Sequence, residues 1–166
     1  MRYFFEIAFN GTHYHGWQIQ DNAISIQQVI QEKLALLTKQ KNVHITGCGR
    51  TDTGVHALQF YFHVDLKEIN DLNHFTFLLN NVLPLDIEIK QILVVSNESH
   101  SRFDALSRTY EYRISTTKAP FEQGLVTYVA GDLNVENMNK CCSALLGKHE
   151  FTSFSKVNTD VNHFFC

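Results

Sequence analysis

The chain has 166 residues and a formal charge of −3; 44% of its residues are hydrophobic and 19% charged. That length fits one domain, or one domain with part of a second, and is enough to bury a core without disulfide or metal staples, and the composition excludes a disordered chain. No stretch approaches the roughly 20 apolar residues of a bilayer span, and Glu6 breaks the first apolar run too early for a signal peptide, so a soluble, cytoplasmic protein is expected.

Tyr3, Phe5, Ile7 and Phe9 alternate with Arg2, Phe4, Glu6 and Ala8, the period of a strand with one buried face. Asn10-Gly11 ends it. Ser25-Ile26-Gln27-Gln28 fits a capping box, with Ser25 as N-cap and Gln28 reaching back. Val29, Ile30, Leu34 and Leu37 then carry an amphipathic helix to about Lys39. A short strand, Val43 to Thr46, leads into a glycine-flanked loop. Beyond it Leu58, Phe60, Phe62, Val64 and Leu66 alternate with Gln59, Tyr61, His63 and Asp65. Asp71 to Leu83 reads as a helix that stops before Pro84, because proline disfavours a helical residue in front of it. Strands follow at Ile87 to Val95 and at Arg108 to Thr116, the second with Tyr110, Tyr112 and Ile114 on one face. Asn134 caps a third helix, along which Val135, Met138, Cys142 and Leu145 recur at helical spacing.

The order up to Val95 is strand, helix, strand, strand, helix, strand. This predicts an α+β fold: a ferredoxin-like antiparallel sheet with helices on one face. Residues 1–98 are expected to form that N-terminal domain and residues 99–166 an incomplete second α+β half, because Asn162 to Cys166 reads as neither a closing strand nor a helix.

The loop Gly47-Cys48-Gly49-Arg50-Thr51-Asp52-Thr53-Gly54-Val55-His56 concentrates polar groups and glycines between two apolar strands. Its glycines permit sharp turning and close approach to a ligand, and a polar loop on a rigid scaffold is the usual seat of reactive groups. The plainer reading is a strand connection in which Arg50 and Asp52 form a surface ion pair of little worth. Asp52-Thr53-Gly54 also spells the aspartic-protease triplet. That chemistry needs two carboxyls sharing a proton, whereas a single carboxylate beside Arg50 stays ionised and suits a nucleophile.

Four cysteines, at 48, 141, 142 and 166, form no Cys-x-x-Cys pair. His13, His15 and His56 lack the spacing of a metal cluster, so no metal is expected. Trp17 reads as a loop anchor packed on the core, or alternatively as an RNA contact. Near Ser99 to Tyr112, Arg102 and Arg108 precede a Tyr-x-Tyr pair. That pair is either a half-buried sheet face or an aromatic plane for an extruded base. The net charge argues against nucleic acid, although Arg50, Arg102, Arg108 and Arg113 can build a local positive cleft.

Together these segments resemble the tRNA pseudouridine synthase A family. Gly49 to His56 reproduces its Gly-Arg-Thr-Asp-x-Gly-Val-His pattern. Tyr14-x-Gly16-Trp17-Gln18, Ser25-Ile26-Gln27, Asn80-x-x-Leu83-Pro84-x-Asp86, Arg102-Phe103-x-Ala105, Arg108-x-Tyr110-x-Tyr112 and Gly147-x-His149-Glu150-Phe151 stand around it in the family's order. Thr53, Glu150 and Ser101 depart from the more usual alanine, aspartate and alanine. The resemblance implies a synthase that isomerises uridine to pseudouridine in the tRNA anticodon arm. Asp52 would be the nucleophile, attacking C1′ or C6. Tyr110 would stack on the uracil and help remove the C5 proton, Arg50 would orient Asp52 and assist base flipping, and Arg102 would steady the site. It also implies a homodimer with tRNA across both subunits, and no cofactor. The family's later Phe-x-x-x-Met-Val-Arg-like stretch has no counterpart after Phe154, so a truncated member is expected. An inactive fragment or a non-catalytic RNA-binding module is the alternative.

Overall fold

A computed structural model describes residues 1–154 and Phe165. The expectation drawn from the last residues of the chain otherwise lies outside the described residues. The elements run β1 (Arg2–Phe9), α1 (Ile26–Thr38), β2 (Ile45–Gly47), β3 (Ala57–Asp65), α2 (Leu72–Val82) and β4 (Ile87–Val95), followed by β5 (Ile114–Ser115), β6 (Thr127–Tyr128) and α3 (Val135–Ser143). The first four strands form one antiparallel sheet in the order β2-β3-β1-β4. That is the ferredoxin-like arrangement the sequence predicts.

β1 lies at the centre because it is apolar on one face along its whole length. Tyr3, Phe5, Ile7 and Phe9 are buried, opposite Val64, Phe62 and Phe60 of β3 and Ile92, Ile89 and Ile87 of β4. Phe5 and Phe62 stack at 4.8 Å between centroids. Such a pair adds about 0.5–1.5 kcal/mol beyond burial. Ile26, Ile30 and Leu34 of α1 and Leu79 of α2 complete this core, all 0% exposed.

Capping follows the sequence with one change. Ser25 accepts from the Gln28 N–H at 3.2 Å, but the Gln28 side chain donates to Glu32 instead of turning back. The i,i+4 carboxylate within the helix competes successfully for the amide. Asp71 caps α2 through the His74 N–H, and Asn134 caps α3 through the Asn137 N–H.

Two strand expectations are corrected. Leu58 is 74% exposed and does not share the buried face of Phe60 and Phe62. Ile7 pairs with Phe60 while Phe9 pairs with Ala57, so β3 has an extra residue at Leu58-Gln59. This bulge breaks the alternation that the sequence displays. The second correction concerns Arg108 to Thr116, where only Ile114–Ser115 is strand, paired in parallel with Thr127–Tyr128. A strand is held by a neighbour's backbone groups. Residues 108–113 belong to no strand, and Tyr110 and Tyr112 lie exposed instead of on a sheet face.

Candidate active site

The loop from Gly47 to His56 leaves the sheet edge under tight control. Cys48 N–H continues the β2–β3 ladder to the Tyr61 carbonyl at 2.7 Å. Trp17 is 3% exposed and sits among Phe9, Phe60 and Phe62, which settles its role as a core anchor. It holds the loop in two ways. Its backbone N–H donates to the Thr51 carbonyl at 3.3 Å, and its indole ring lies where a side chain on Gly47 would project, 2.5 Å from an added Cβ. Gly54 donates to the Tyr14 carbonyl at 3.1 Å from a left-handed conformation, φ 78°. Gly49 meets nothing tighter than ordinary contact. The glycines therefore serve close packing and a turn within the protein, and not only approach to a ligand.

The far end of the loop is pinned by His56. The Gly11 N–H donates to Nδ1 at 3.1 Å, so the ring proton sits on Nε2, which donates to the Gly124 carbonyl at 2.6 Å. Both nitrogens are thus committed to backbone, which removes His56 from any metal set. Among the described residues no cluster of His, Cys, Asp and Glu is arranged to hold a metal ion.

Tyr14 is buried, and its hydroxyl donates to Asp86 at 2.6 Å, tying the segment before the loop to the turn before β4. Burial first, and the carboxylate second, push the Tyr14 phenol well above its ordinary range. It therefore remains a proton donor at any physiological pH. On the other side of the loop Arg108 reaches back across the sheet edge. Its Nη2 donates to the Cys48 carbonyl at 2.7 Å and to the Arg102 carbonyl at 3.0 Å. One guanidinium, with several donors in a fixed fork, thereby joins the loop to the turn carrying Arg102.

Asp52 stands exposed at the tip of this braced loop, with Arg50 also exposed. The Val55 N–H donates to the Asp52 carbonyl at 3.2 Å, closing the turn behind it. The Arg50–Asp52 ion pair allowed by their spacing is not among those formed by the described residues. Thr51 Oγ1, one residue before the carboxylate, is buried without a hydrogen-bond partner among the described residues. Arg102 lies 5.8 Å over the Phe103 ring. The fold thus brings Arg50, Asp52 and the Arg102 turn to one sheet edge. Tyr110 lies two residues beyond the Arg108 clamp, 67% exposed, with no hydrogen bond to Asp52 among the described residues.

Sequence reading missed the bracing role of Arg108 and the pairing of Tyr14 with Asp86. Both lie within the quoted motifs, but a motif gives order along the chain and not the partner 60 or 72 residues away. What the arrangement offers chemically is an accessible carboxylate on a loop whose backbone is braced, with Arg50 two residues away and Arg108 clamping the loop at Cys48. Such a carboxylate is equipped for nucleophilic attack on a polyanionic substrate.

Comparison with known proteins bears directly on this loop. A family model described as tRNA pseudouridine synthase matches residues 7–104, which include the loop and the Arg102 turn. The chain is 47% identical to tRNA pseudouridine synthase A of Parabacteroides distasonis over 96% of its own length and 64% of that protein. It is 42% identical to the Bacteroides fragilis protein of the same name over 99% of this chain and 66% of the relative. A Staphylococcus aureus relative of that name is 34% identical, with 97% and 61% covered. The chain thus spans a little under two thirds of the curated relatives it matches. On the strength of the family match across its sheet and its aspartate loop, the chain belongs to the tRNA pseudouridine synthase family.

Proposed function

We propose that this chain is the aspartate-bearing part of a tRNA pseudouridine synthase acting on uridine in the anticodon arm, with Asp52 as its nucleophile. The observation that carries this reading is the exposed Asp52 carboxylate on a loop braced at Thr51, Gly54, His56 and Cys48. Fixing the backbone on both sides of a nucleophile lowers the entropic cost of reaching the attack geometry.

In the proposed reaction the target uridine leaves the base stack, and Asp52 attacks either C1′ of the ribose or C6 of the base. The N1–C1′ bond breaks, the uracil turns within the site, and a C5–C1′ bond forms. The proton on C5 is lost, N1 gains one, and Asp52 is released as carboxylate. The product is an isomer of the substrate, so the reaction consumes no oxidant, reductant or external group. Arg50 orients Asp52 and assists flipping, Arg102 neutralises nearby phosphate, and Tyr110 stacks on the uracil and helps take the C5 proton.

We further propose a division at about residue 98 and a homodimer with one tRNA across both subunits, which would concentrate cationic surface that a chain of charge −3 lacks. The test is incubation of the complete protein with unmodified tRNA, followed by mapping of carbodiimide-reactive pseudouridine through its alkali-resistant adduct. Wild type is expected to give product. Asp52→Ala and Asp52→Asn are expected to lose more than about 1,000-fold in rate while still binding tRNA. Product from Asp52→Ala at the wild-type rate overturns the assignment, and binding without turnover by wild type favours a non-catalytic RNA-binding module.

A further inference from the structure

On the helix-free face of the sheet, His63 of β3 meets the turn that carries Arg102. His63 is 7% exposed and Ser101 4%, an unusual pair of polar side chains to bury together. Ser101 meets the ring with two groups: its backbone N–H donates to His63 Nδ1 at 3.2 Å, and its hydroxyl oxygen lies 2.9 Å from the same nitrogen. The hydroxyl also reaches the Thr46 carbonyl of β2 at 2.8 Å. His100 packs edge-on against the His63 ring at 4.6 Å between centroids, and Phe103 stacks on His100 at 4.2 Å. The turn itself is closed by Asp104, whose N–H donates to the His100 carbonyl and whose carboxylate accepts from the His100 N–H at 2.8 Å.

We propose that His63 is a positioning residue: with Ser101 it latches the Arg102 turn onto the sheet edge beside the Asp52 loop, and protonation of Nδ1 opens the latch. The backbone N–H of Ser101 can donate to Nδ1 only while that nitrogen holds a lone pair. A proton there sets the ring against the Ser101 N–H, and even where the hydroxyl oxygen accepts from the new proton that buried N–H loses its acceptor, which costs more than losing a hydrogen bond exposed to water. Arg108 is then the remaining tie between the Arg102 carbonyl and the loop.

The groups facing His63 favour its neutral form on balance. Burial is the first cause that holds its pKa below the ordinary histidine value, followed by the positive charge of Arg2 on β1 and by His100 on the turn. Asp65 on β3 and Asp104 on the turn act in the opposite sense. Arg2 is itself held in place by Asp65 at 2.7 Å and donates to the Ser99 carbonyl at 3.0 Å. A site whose docked form has the lower pKa docks fully above the ordinary value of 6.5 and loosens as pH falls below it.

That the turn serves a uridine rests on the function proposed above, but the latch is testable without substrate. Amide hydrogen exchange of residues 100–104 in the 166-residue chain, corrected for the intrinsic rate, is followed from about pH 7.5 to about pH 5. Protection in the wild type is expected to fall by about tenfold or more across that range. His63→Asn places an amide oxygen near the position of Nδ1 and does not titrate, so it is expected to keep protection and lose the pH dependence. Ser101→Ala is expected to keep the dependence with less protection. His63→Ala is expected to be unprotected throughout, and if it fails to fold the His63→Asn comparison decides alone. Wild-type protection that does not change with pH, or an equal change in His63→Asn, overturns the proposal. Loss of uridine turnover with an intact latch would instead count against the proposed reaction.

Discussion

Gly47 has no room for a side chain, because the Trp17 indole occupies the space a Cβ would take. Gly47→Ala is therefore expected to cost about 1–3 kcal/mol through overpacking, read as a lowered denaturant midpoint with an unchanged slope. Thr51→Val has the opposite expectation. It replaces a buried hydroxyl without a partner among the described residues by an isosteric methyl, so stability should hold or rise by about 1 kcal/mol; a clear fall would show that the hydroxyl has a partner in solution. Asp52 was legible in the sequence because a carboxylate, an arginine and three glycines between apolar strands are conspicuous in a one-dimensional reading. The role of Gly47 was not legible. It depends on Trp17, thirty residues earlier and in contact only after the sheet edge forms. Tyr110 belongs to the same class: the Tyr-x-Tyr spacing suggested a sheet face, but spacing does not tell whether a neighbouring strand exists to make one.

At the scale of elements, α2 is tied to β4 by one side chain. Asn80 donates to the Ile89 carbonyl at 2.9 Å and accepts from the Ile89 N–H at 2.8 Å, standing in for a missing strand partner at the sheet edge. Asn80→Ala is expected to destabilise by about 1–3 kcal/mol, since two backbone groups lose their partner together. Asn80→Asp, which keeps the acceptor alone, should fall between it and wild type in urea melts. The strands and helices of residues 2–95 were readable because each has one face that must be buried, and burial writes a period of two or of 3.6 into the sequence. The bulge at Leu58-Gln59 was not readable. It is imposed by how β1 registers against β3, and the alternation of Leu58 with Phe60 gives no hint of it. The capping of α1 and α3 was readable from Ser25 and Asn134, because a cap is a local contact three residues long, and Asp71, read as the first residue of its helix, is in fact the cap of α2.

For the whole molecule, burial divides unevenly. Among the described residues after Ser101 none is buried, so limited trypsin digestion of this chain is expected to cut after Arg113 and Lys118 before any site within residues 2–95. Prior cleavage inside the sheet would contradict the division. The acid response follows from groups on the helix-free face. Hydrogen bonds, led by Gln59, hold the Glu6 carboxyl below its ordinary value of 4.5, and Arg2 does the same for Asp65 below 3.8. A carboxyl depressed in the folded state contributes stability that is complete above its unfolded value and lost as pH falls through the folded one. The urea midpoint should therefore decline at acid pH, and Arg2→Gln should shrink the Asp65 part of that decline. The braces of the Asp52 loop have one more consequence. Arg108 and Gly124 lie 60 and 68 residues downstream of the groups they hold, while the sheet is complete once β4 has been made. A growing chain on the ribosome thus passes through a stage in which the scaffold is shut and the loop is already held from Gly11, Tyr14, Trp17 and Tyr61, while two of its braces are still to be made. The two late braces fasten from outside a loop that the sheet has already set in place.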